Sequence, residues 1–267
     1  MPGLTDQQVD SIARRVLQEL SGSARTAPPV SPPPSPPAAT SIPATQSSCR
    51  RGTFNTVDEA VAAAAQAFLE FESMSLAARD DIIASIRESM LAHAESLARE
   101  AHAETGLGRW QDKVIKNRLV AKKTPGTEHL TPIATTGDHG LTLMERAPFG
   151  VIASITPCTN PTSTIICNTI GMLAAGNSVV FNVHPTAKQT SIKNISLLNE
   201  AIISAGGPAN LVTTVAEPTI ESAQALMKHP GIRLLVVTGG ARRCRGGDAE
   251  RQARRLRRTR QPSSCRR

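Results

Sequence analysis

The sequence contains 267 residues, with 30 Lys and Arg against 22 Asp and Glu, and its formal net charge is +8. Eleven arginines and two of the acids fall within residues 241–267, which leaves the first 240 residues with 19 basic and 20 acidic side chains. The body of the chain is therefore close to neutral, which argues against a specific nucleic-acid footprint on it.

Apolar runs and cysteines indicate the setting in which the protein works. No run approaches the roughly 18 apolar residues that span a bilayer, so we expect no membrane role. The five cysteines form no CxxC pair and no His/Cys cluster with zinc spacing, which indicates a reduced, cytoplasmic compartment and no metal site. Cys158 and Cys167 are expected simply to pack as small hydrophobic side chains.

The N-terminal fifth divides into two segments. In residues 1–20, "LTDQQVDSIARRVLQEL" places apolar residues at helical spacing opposite charged ones, which predicts an amphipathic helix. Residues 21–52 are rich in Pro, Ser and Ala and predict an extended, disordered linker. A lone helix of this length is marginal in water, so we expect its apolar stripe to dock, either on a partner or back on its own domain.

From Thr53 the sequence predicts a folded body that starts with helices. "TVDEAVAAAAQAFLEF" begins with Thr56 and Glu59 at capping-box spacing. A second helix is predicted over about 75–104, and "QDKVIKNRLVAKK" forms a third. "HLTPIATTGDHGLTLMERA" then indicates two strands around a Gly137-Asp138 turn.

Beyond Phe149 short apolar strands alternate with helices. The strands are "GVIASI", "NSVVFN", "NLVTTV" and "IRLLVV", and the helices cover about 162–175, 187–204 and 219–229. Strands that are apolar on both faces, each followed by a helix, predict a parallel sheet with right-handed crossovers. The Rossmann GxGxxG fingerprint is absent, so these patterns predict an α/β fold but do not by themselves indicate a nucleotide site.

Ligands of open parallel sheets bind beyond the carboxyl ends of the strands, where three loops of this sequence lie. In the first, "TPCTNPTST", the hydroxyls of Thr156 and Thr159, the Asn160 amide and the N–H groups of the following helix could stabilise an anion or oxyanion. The alternative is an ordinary helix cap.

The second and third loops offer groups for a ribose or a phosphate. "FNVHPTAK" supplies Asn182, His184 and Lys188, although taken singly a histidine such as His184 is more often an ordinary surface or satisfied one. "VVTGG" ends in Gly239 and Gly240, which allow close approach of a flat or phosphorylated ligand.

In combination the loops carry a resemblance. "APFGVIASITPCTNPTSTIICNTIGMLAAGNSVVFNVHPTAK", followed by "NLVTTVAEPT" and "VVTGG", resembles the CoA-acylating aldehyde dehydrogenases. "ETGLG", "DKVIKN" and "TPGTEHL" point to the propionaldehyde and acetaldehyde enzymes of bacterial microcompartments. The implied fold is an incomplete, aldehyde-dehydrogenase-like dinucleotide-binding domain over 53–240. The N-terminal helix resembles the peptides, here residues 4–20, that dock such enzymes on shell proteins in the microcompartment lumen.

The resemblance implies oxidation of a short-chain aldehyde with NAD and transfer of the acyl group to coenzyme A through a Cys thioester, in a homo-oligomer. It assigns the oxyanion region to Thr159 and Asn160. The resemblance also implies cofactor-binding residues, which are Thr156, Pro157, Asn182, His184, Pro185, Thr238, Gly239 and Gly240. In aldehyde dehydrogenases broadly a Pro-x-Asn-x-Pro loop supplies the oxyanion amide, and that column falls here on Thr159, so either residue could be the donor. Propionaldehyde and acetaldehyde both remain open.

The resemblance stops at Gly240, whereas the family continues with Ser-Gly-Lys, Gly-Asn-Pro-Pro and then the catalytic Cys. Codons permitted for residues 248–262, read from the second base, can encode Met-Gln-Ser-Gly-Lys-Arg-Ala and then Ala-Gly-Pro-Gly-Asn-Pro-Pro. We therefore interpret 241–267 as an out-of-frame, disordered tail. The chain is expected to be truncated, to lack the nucleophile and to form no acyl-CoA.

Two readings from other classes stay open. The chain could be a non-catalytic module that docks on shell proteins through its N-terminal helix alone. The arginine-rich tail could instead bind nucleic acid, and because the tail has no aromatic residue to stack on bases, such binding would be unspecific and salt-sensitive.

Overall fold

The computed structural model describes residues 51–239. The predicted helix of residues 1–20, nearly all of the predicted linker, Gly240 and the predicted tail lie outside the described residues. Gly52, the last residue of the predicted linker, is buried, and its carbonyl oxygen accepts a hydrogen bond from the Thr214 N–H at 2.8 Å. The folded body therefore includes Gly52.

Seven α-helices occur within residues 51–239, and each lies where an amphipathic or apolar pattern predicts one. In chain order they are α1 (Val57–Glu72), α2 (Leu76–Ala92), α3 (Ala94–Thr105), α4 (Trp110–Lys123), α5 (Pro161–Ala174), α6 (Lys188–Ser204) and α7 (Ile220–Lys228). The predicted capping box of α1 is present, since the Thr56 hydroxyl accepts from the Glu59 N–H and the Glu59 carboxylate accepts from the Thr56 N–H. No helix in this part of the chain is long and apolar enough to cross a membrane.

The sheet is parallel, as predicted, but it contains five strands rather than four. The strands are β1 (Thr53–Phe54), β4 (Val151–Ile155), β5 (Ser178–Asn182), β6 (Val212–Val215) and β7 (Leu234–Val237), in the order β1-β6-β5-β4-β7. The additional strand is β1, which pairs with β6 through only two residues. The four neighbouring strands β6-β5-β4-β7 have the spatial order of the first four strands of a doubly wound nucleotide-binding sheet.

Helices cover both faces of this sheet. Alternate residues of β4 contact opposite layers: Ile152 packs in a core with α2, α5 and α6, whereas Val151 and Ala153 pack in a second core with α1 and α7. All residues of β4, β5 and β6 are buried. Burial on both faces explains why these strands are apolar throughout rather than alternating.

The two predicted strands before the sheet form a separate antiparallel hairpin, β2 (Ile133–Gly137) and β3 (Gly140–Met144). Gly137 pairs with Gly140, so the turn residues are Asp138 and His139, one position later than predicted. Every residue of both strands is exposed.

The predicted second helix is two helices. The prediction of one helix over 75–104 was wrong because the backbone of His93 (φ −93°, ψ 4°) leaves the helical region and ends α2 before α3 starts. The predicted apolar stripe is nevertheless buried on both sides of this break, and its members are Ile82, Ile83, Ile86, Met90 and Leu97.

Candidate functional site

A cleft of about 460 Å³ lies beyond the carboxyl ends of the parallel strands. The ends of β4, β5 and β7 form its floor, and α7, which crosses from β6 to β7, forms one wall. Its lining consists of Ile155, Thr156, Asn182, Val183, His184, Pro185, Thr219, Ile220, Ala223, Gln224, Met227 and Val237. The lining contains no Lys, Arg, Asp or Glu, so it suits an uncharged, partly aromatic group better than an ion.

Thr156 lies at the floor of this cleft, and its hydroxyl is buried. The residue is only 1% exposed, its N–H donates to the Asn182 carbonyl oxygen at 3.2 Å, and its Oγ1 has no hydrogen-bond partner among the described residues. A buried hydroxyl without a partner costs free energy, because it has lost its hydrogen bonds to water. The Thr156 hydroxyl is therefore an unsatisfied polar group in a residue that lines the cleft.

Asn182 lies beside Thr156 but its side chain is already engaged. Its Oδ1 accepts from the Ser222 hydroxyl at 2.7 Å and its Nδ2 donates to the Thr219 carbonyl oxygen at 3.4 Å. Thr219 and Ser222 also form the capping box at the start of α7. Asn182 thus holds the wall of the cleft against the end of β5.

His184 and Pro185 form the opposite wall, immediately after β5. His184 is half-buried, and its Nδ1 accepts a hydrogen bond from the Thr186 N–H at 3.2 Å. Three residues after Pro185, the Lys188 ammonium donates to both carboxylate oxygens of Glu217, at 2.9 and 2.8 Å. This ion pair connects the segment after β5 with the segment after β6.

The predicted oxyanion residues lie outside the lining of the cleft. The Thr159 carbonyl oxygen accepts from the Lys113 Nζ at 3.0 Å, and the Asn160 Oδ1 accepts from the Lys116 Nζ at 3.1 Å. Both lysines belong to α4, so this helix holds the loop between β4 and α5. The contact with Lys116 orients the Asn160 amide, whose Nδ2 is the hydrogen-bond donor of the side chain.

Lys113 is buried, with 5% of its surface exposed. Burial, and secondly the positive charge of Lys116, holds the pKa of the Lys113 ammonium below its ordinary value, while Cys158 acts in the opposite direction. Cys158 and Cys167 are both free and half-buried. No local pattern in the sequence distinguishes Lys113 from the exposed lysines of the same helix.

Three of the remaining predicted residues adjoin lining residues in the chain, and Gly240 lies outside the described residues. Pro157 follows the floor residue Thr156 and is half-buried, and Thr238 and Gly239 follow the lining residue Val237. The Thr238 N–H donates to the Ile155 carbonyl oxygen at 3.0 Å, and Gly239 has a φ of 156°. The structure therefore brings together Thr156, Asn182, His184 and Pro185.

The wall formed by α7 was missed by reasoning from sequence. Ile220, Ala223 and Met227 recur at helical spacing, which is the pattern of an ordinary core-facing stripe. Ile220 is 72% exposed, however, so at this position the stripe faces the open cleft.

A second acidic side chain, that of Glu104, contacts the start of α6. The Glu104 carboxylate accepts from the N–H groups of Gln189 and Thr190, at 2.7 and 2.8 Å, and from the Thr190 hydroxyl at 2.6 Å. Its negative charge stabilises the positive end of the helix dipole. The amide groups that would ordinarily attract an anion at this helix terminus are thus occupied by a side chain of the same protein.

A helix-covered parallel sheet in this strand order, with a cleft beyond its carboxyl ends, defines the dinucleotide-binding class of α/β folds. The profile of the aldehyde dehydrogenase family matches residues 38–254, so the chain belongs to that family.

Individual relatives narrow the comparison to the CoA-acylating branch. The acetylating acetaldehyde dehydrogenase EutE of Escherichia coli is 55% identical over 189 residues, which are 71% of this chain and 40% of that protein. The solved propionaldehyde dehydrogenase from the fucose utilisation microcompartment of Clostridium phytofermentans is 52% identical with a TM-score of 0.70, over 72% of this chain and 44% of its own.

A third relative was solved with ligands. The propionaldehyde dehydrogenase of Rhodopseudomonas palustris, with bound CoA and an acylated cysteine, is 51% identical with a TM-score of 0.70, over 72% of this chain and 44% of its own. The chain thus spans less than half the length of each relative it matches here.

Proposed function

We propose that the cleft beyond β4 and β5 binds the adenosine half of NAD, and that the chain is the dinucleotide-binding portion of a CoA-acylating aldehyde dehydrogenase. The observation that carries the proposal is an uncharged cleft of about 460 Å³ beyond the carboxyl ends of the strands, whose floor residue Thr156 has a buried hydroxyl without a partner among the described residues. An adenosine offers an apolar ring and several hydrogen-bonding groups, which matches such a lining.

Each part of the cleft has its own role in this proposal. Ile220 and Val183 pack against the purine, and the Thr156 hydroxyl hydrogen-bonds to the bound nucleoside. His184 and Pro185 form the ribose side. The main role of Asn182 is to orient α7, because its amide is already hydrogen-bonded to Ser222 and Thr219. NAD supplies a hydride acceptor when bound, and the residues described here hold and orient it.

The remaining site residues belong to a second part of the proposal. Pro157 continues the cofactor-binding segment that starts at Thr156, and Thr238, Gly239 and Gly240 lie toward the pyrophosphate. Thr159 and Asn160 border the reacting carbonyl, with the Asn160 Nδ2 as the oxyanion donor and Lys116 orienting the amide through its Oδ1.

For the whole protein we propose oxidation of a short aldehyde and release of its acyl group to coenzyme A. The names of the relatives support acetaldehyde and propionaldehyde equally. The relative solved with CoA supports coenzyme A as co-substrate.

The same relatives support a proposal for partners and location. The microcompartment origin of the Clostridium enzyme supports a place in a microcompartment lumen within the cytoplasm, with residues 4–20 docking on shell proteins. The exposed hairpin, which presents Leu141 and Leu143, supports self-association into a homo-oligomer.

Calorimetric titration of the purified chain with NAD⁺ tests the proposal, and we expect saturable binding of one equivalent. Ile220→Asp should weaken this binding at least about fivefold, since it places a charge on the purine wall. Leu69→Asp is the matched control, because Leu69 is similarly exposed but lies on α1 outside the lining. Absence of NAD⁺ binding, or equal effects of the two variants, contradicts the proposal.

A further inference from the structure

Two acidic side chains neutralise the features near the cleft that would attract a phosphate. Glu217, in the segment between β6 and α7, pairs with Lys188, the first residue of α6. The segments that precede α7 and α6 line the cleft through Thr219 on one side and Pro185 on the other. The ion pair therefore connects these two segments, and Lys188 follows Pro185, on the ribose side of the proposed site, by three residues.

The helix terminus next to this ion pair is neutralised as well. Free N–H groups at the start of α6 would form an anion site, but the Glu104 carboxylate accepts from those of Gln189 and Thr190. A phosphate attached to the ribose would therefore find no available cation in Lys188 and no available amides at this terminus. It would also face the negative charges of Glu104 and Glu217.

We propose that Glu217 is a specificity-determining residue, which makes the cleft select a dinucleotide without a phosphate on the adenosine ribose, NAD rather than NADP. The inference rests on the proposed function and names the chemical class of its cofactor. Glu217 acts by holding the Lys188 ammonium, and Glu104 reinforces the selection by occupying the start of α6.

The substitution Glu217→Gln tests the mechanism directly. It removes one negative charge and releases the Lys188 ammonium, which can then pair with a 2′-phosphate. The affinity for NADP⁺ should rise about five- to tenfold relative to that for NAD⁺, the size of one partly solvated charge contact. The gain should shrink as salt rises from about 0.05 M to about 0.3 M, because solvent-exposed charges are screened. The Glu217 side chain is 78% exposed, so the variant is expected to fold.

Two further variants identify the cause of any change. Glu221→Gln removes an exposed carboxylate from the first turn of α7 without releasing a cation, so it should shift the NADP⁺/NAD⁺ affinity ratio less than about twofold. The double variant Glu217→Gln/Lys188→Met should return the ratio toward that of the unmodified chain. Calorimetric titration of each protein with NAD⁺ and with NADP⁺ provides all the ratios.

The outcomes separate this inference from the proposed function. An unmodified chain that binds NAD⁺ with a ratio unchanged by Glu217→Gln refutes the inference alone. The inference is also refuted if the unmodified chain prefers NADP⁺. It is refuted as well if Glu221→Gln shifts the NADP⁺/NAD⁺ affinity ratio as much as Glu217→Gln does. A chain that binds neither dinucleotide contradicts the proposed function, and the inference is rejected with it.

Discussion

The carboxylate of Glu104, at the end of α3, accepts hydrogen bonds from both the backbone N–H and the hydroxyl of Thr190, 86 positions later in the sequence. A helix start is usually capped by a residue that immediately precedes it, but α6 has no side-chain cap from Ala187. The cap is supplied instead by another helix. As a result α3 and α6 are connected by contacts that also satisfy the backbone next to the cleft.

Replacement of this distant cap should destabilise the fold. Glu104→Ala removes three hydrogen bonds and the charge at the positive end of α6, so the free energy of unfolding should fall by about 1–2 kcal/mol. Urea unfolding followed by circular dichroism measures the change. Glu88→Ala on the exposed face of α2 is the control, and a loss no larger than that of the control would show that the cap contributes nothing.

Asn117 connects three helices at the side of the oxyanion loop. It is fully buried, its Nδ2 donates to the Ala94 carbonyl oxygen at 3.1 Å, and its Oδ1 accepts from the Thr162 hydroxyl at 2.9 Å. Asn117→Ala leaves two buried groups unpaired, so unfolding free energy should drop by about 2–3 kcal/mol. In chemical denaturation the exposed neighbour Gln111→Ala should change it by less than about 0.5 kcal/mol. Similar losses in both variants would mean that the network is unimportant.

Lys113 should make stability rise with pH in the alkaline range. Its pKa in the folded chain is lowered from 10.5, chiefly by burial, so the cost of holding the buried ammonium is fully present below the folded pKa. Between the folded and unfolded pKa values the folded chain loses its proton first, and stability increases with pH. Above 10.5 the increase is complete.

Comparison with Lys113→Met isolates this effect. The difference in unfolding free energy between the unmodified chain and Lys113→Met should grow in favour of the unmodified chain as the pH rises toward 10.5. Lys122→Met, an exposed position on the same helix, should show no such trend. Parallel pH profiles for all three proteins, measured by urea titration, would refute the assignment.

Gly52 and Gly206 have the same φ of 81°. Alanine substitutions at these two positions therefore distinguish the effect of backbone strain from the effect of a steric clash. Gly206→Ala meets no atom within 4 Å, so it bears only the left-handed backbone penalty, about 1 kcal/mol. At Gly52 an added Cβ would also lie 2.5 Å from the Val212 carbonyl oxygen and against the Asn199 side chain. Gly52→Ala should therefore lower the midpoint of thermal unfolding clearly more than Gly206→Ala, and equal shifts would contradict the packing at β1.

Long, strongly patterned elements could be predicted from the sequence, and short or interrupted ones could not. The buried stripe of α2 and α3 is evident from Ile82 to Leu97, but no Gly or Pro marks the break at His93. Likewise β1 consists of only Thr53 and Phe54, too few residues for any periodicity. Its pairing with β6 depends on residues that lie more than 150 positions later, which local patterns do not contain.

The candidate site could likewise be predicted from the sequence only in part. Thr156, Asn182 and His184 were predicted because they follow strands, and parallel strands bring their carboxyl ends to one edge. The contributions of Ile220 and Glu217 depend on which way α7 and its preceding segment face. That orientation is determined by tertiary contacts, such as the one between Ser222 and Asn182, rather than by spacing.

The hairpin of β2 and β3 has a consequence for local stability. Its ten strand residues are all exposed, so its amides are protected by its own ladder and little else. An isolated two-stranded hairpin is marginally stable in water and opens without global unfolding. In an isolated chain the amides of β2 and β3 should exchange with deuterium long before those of β5, which has a strand on each side and helices above and below.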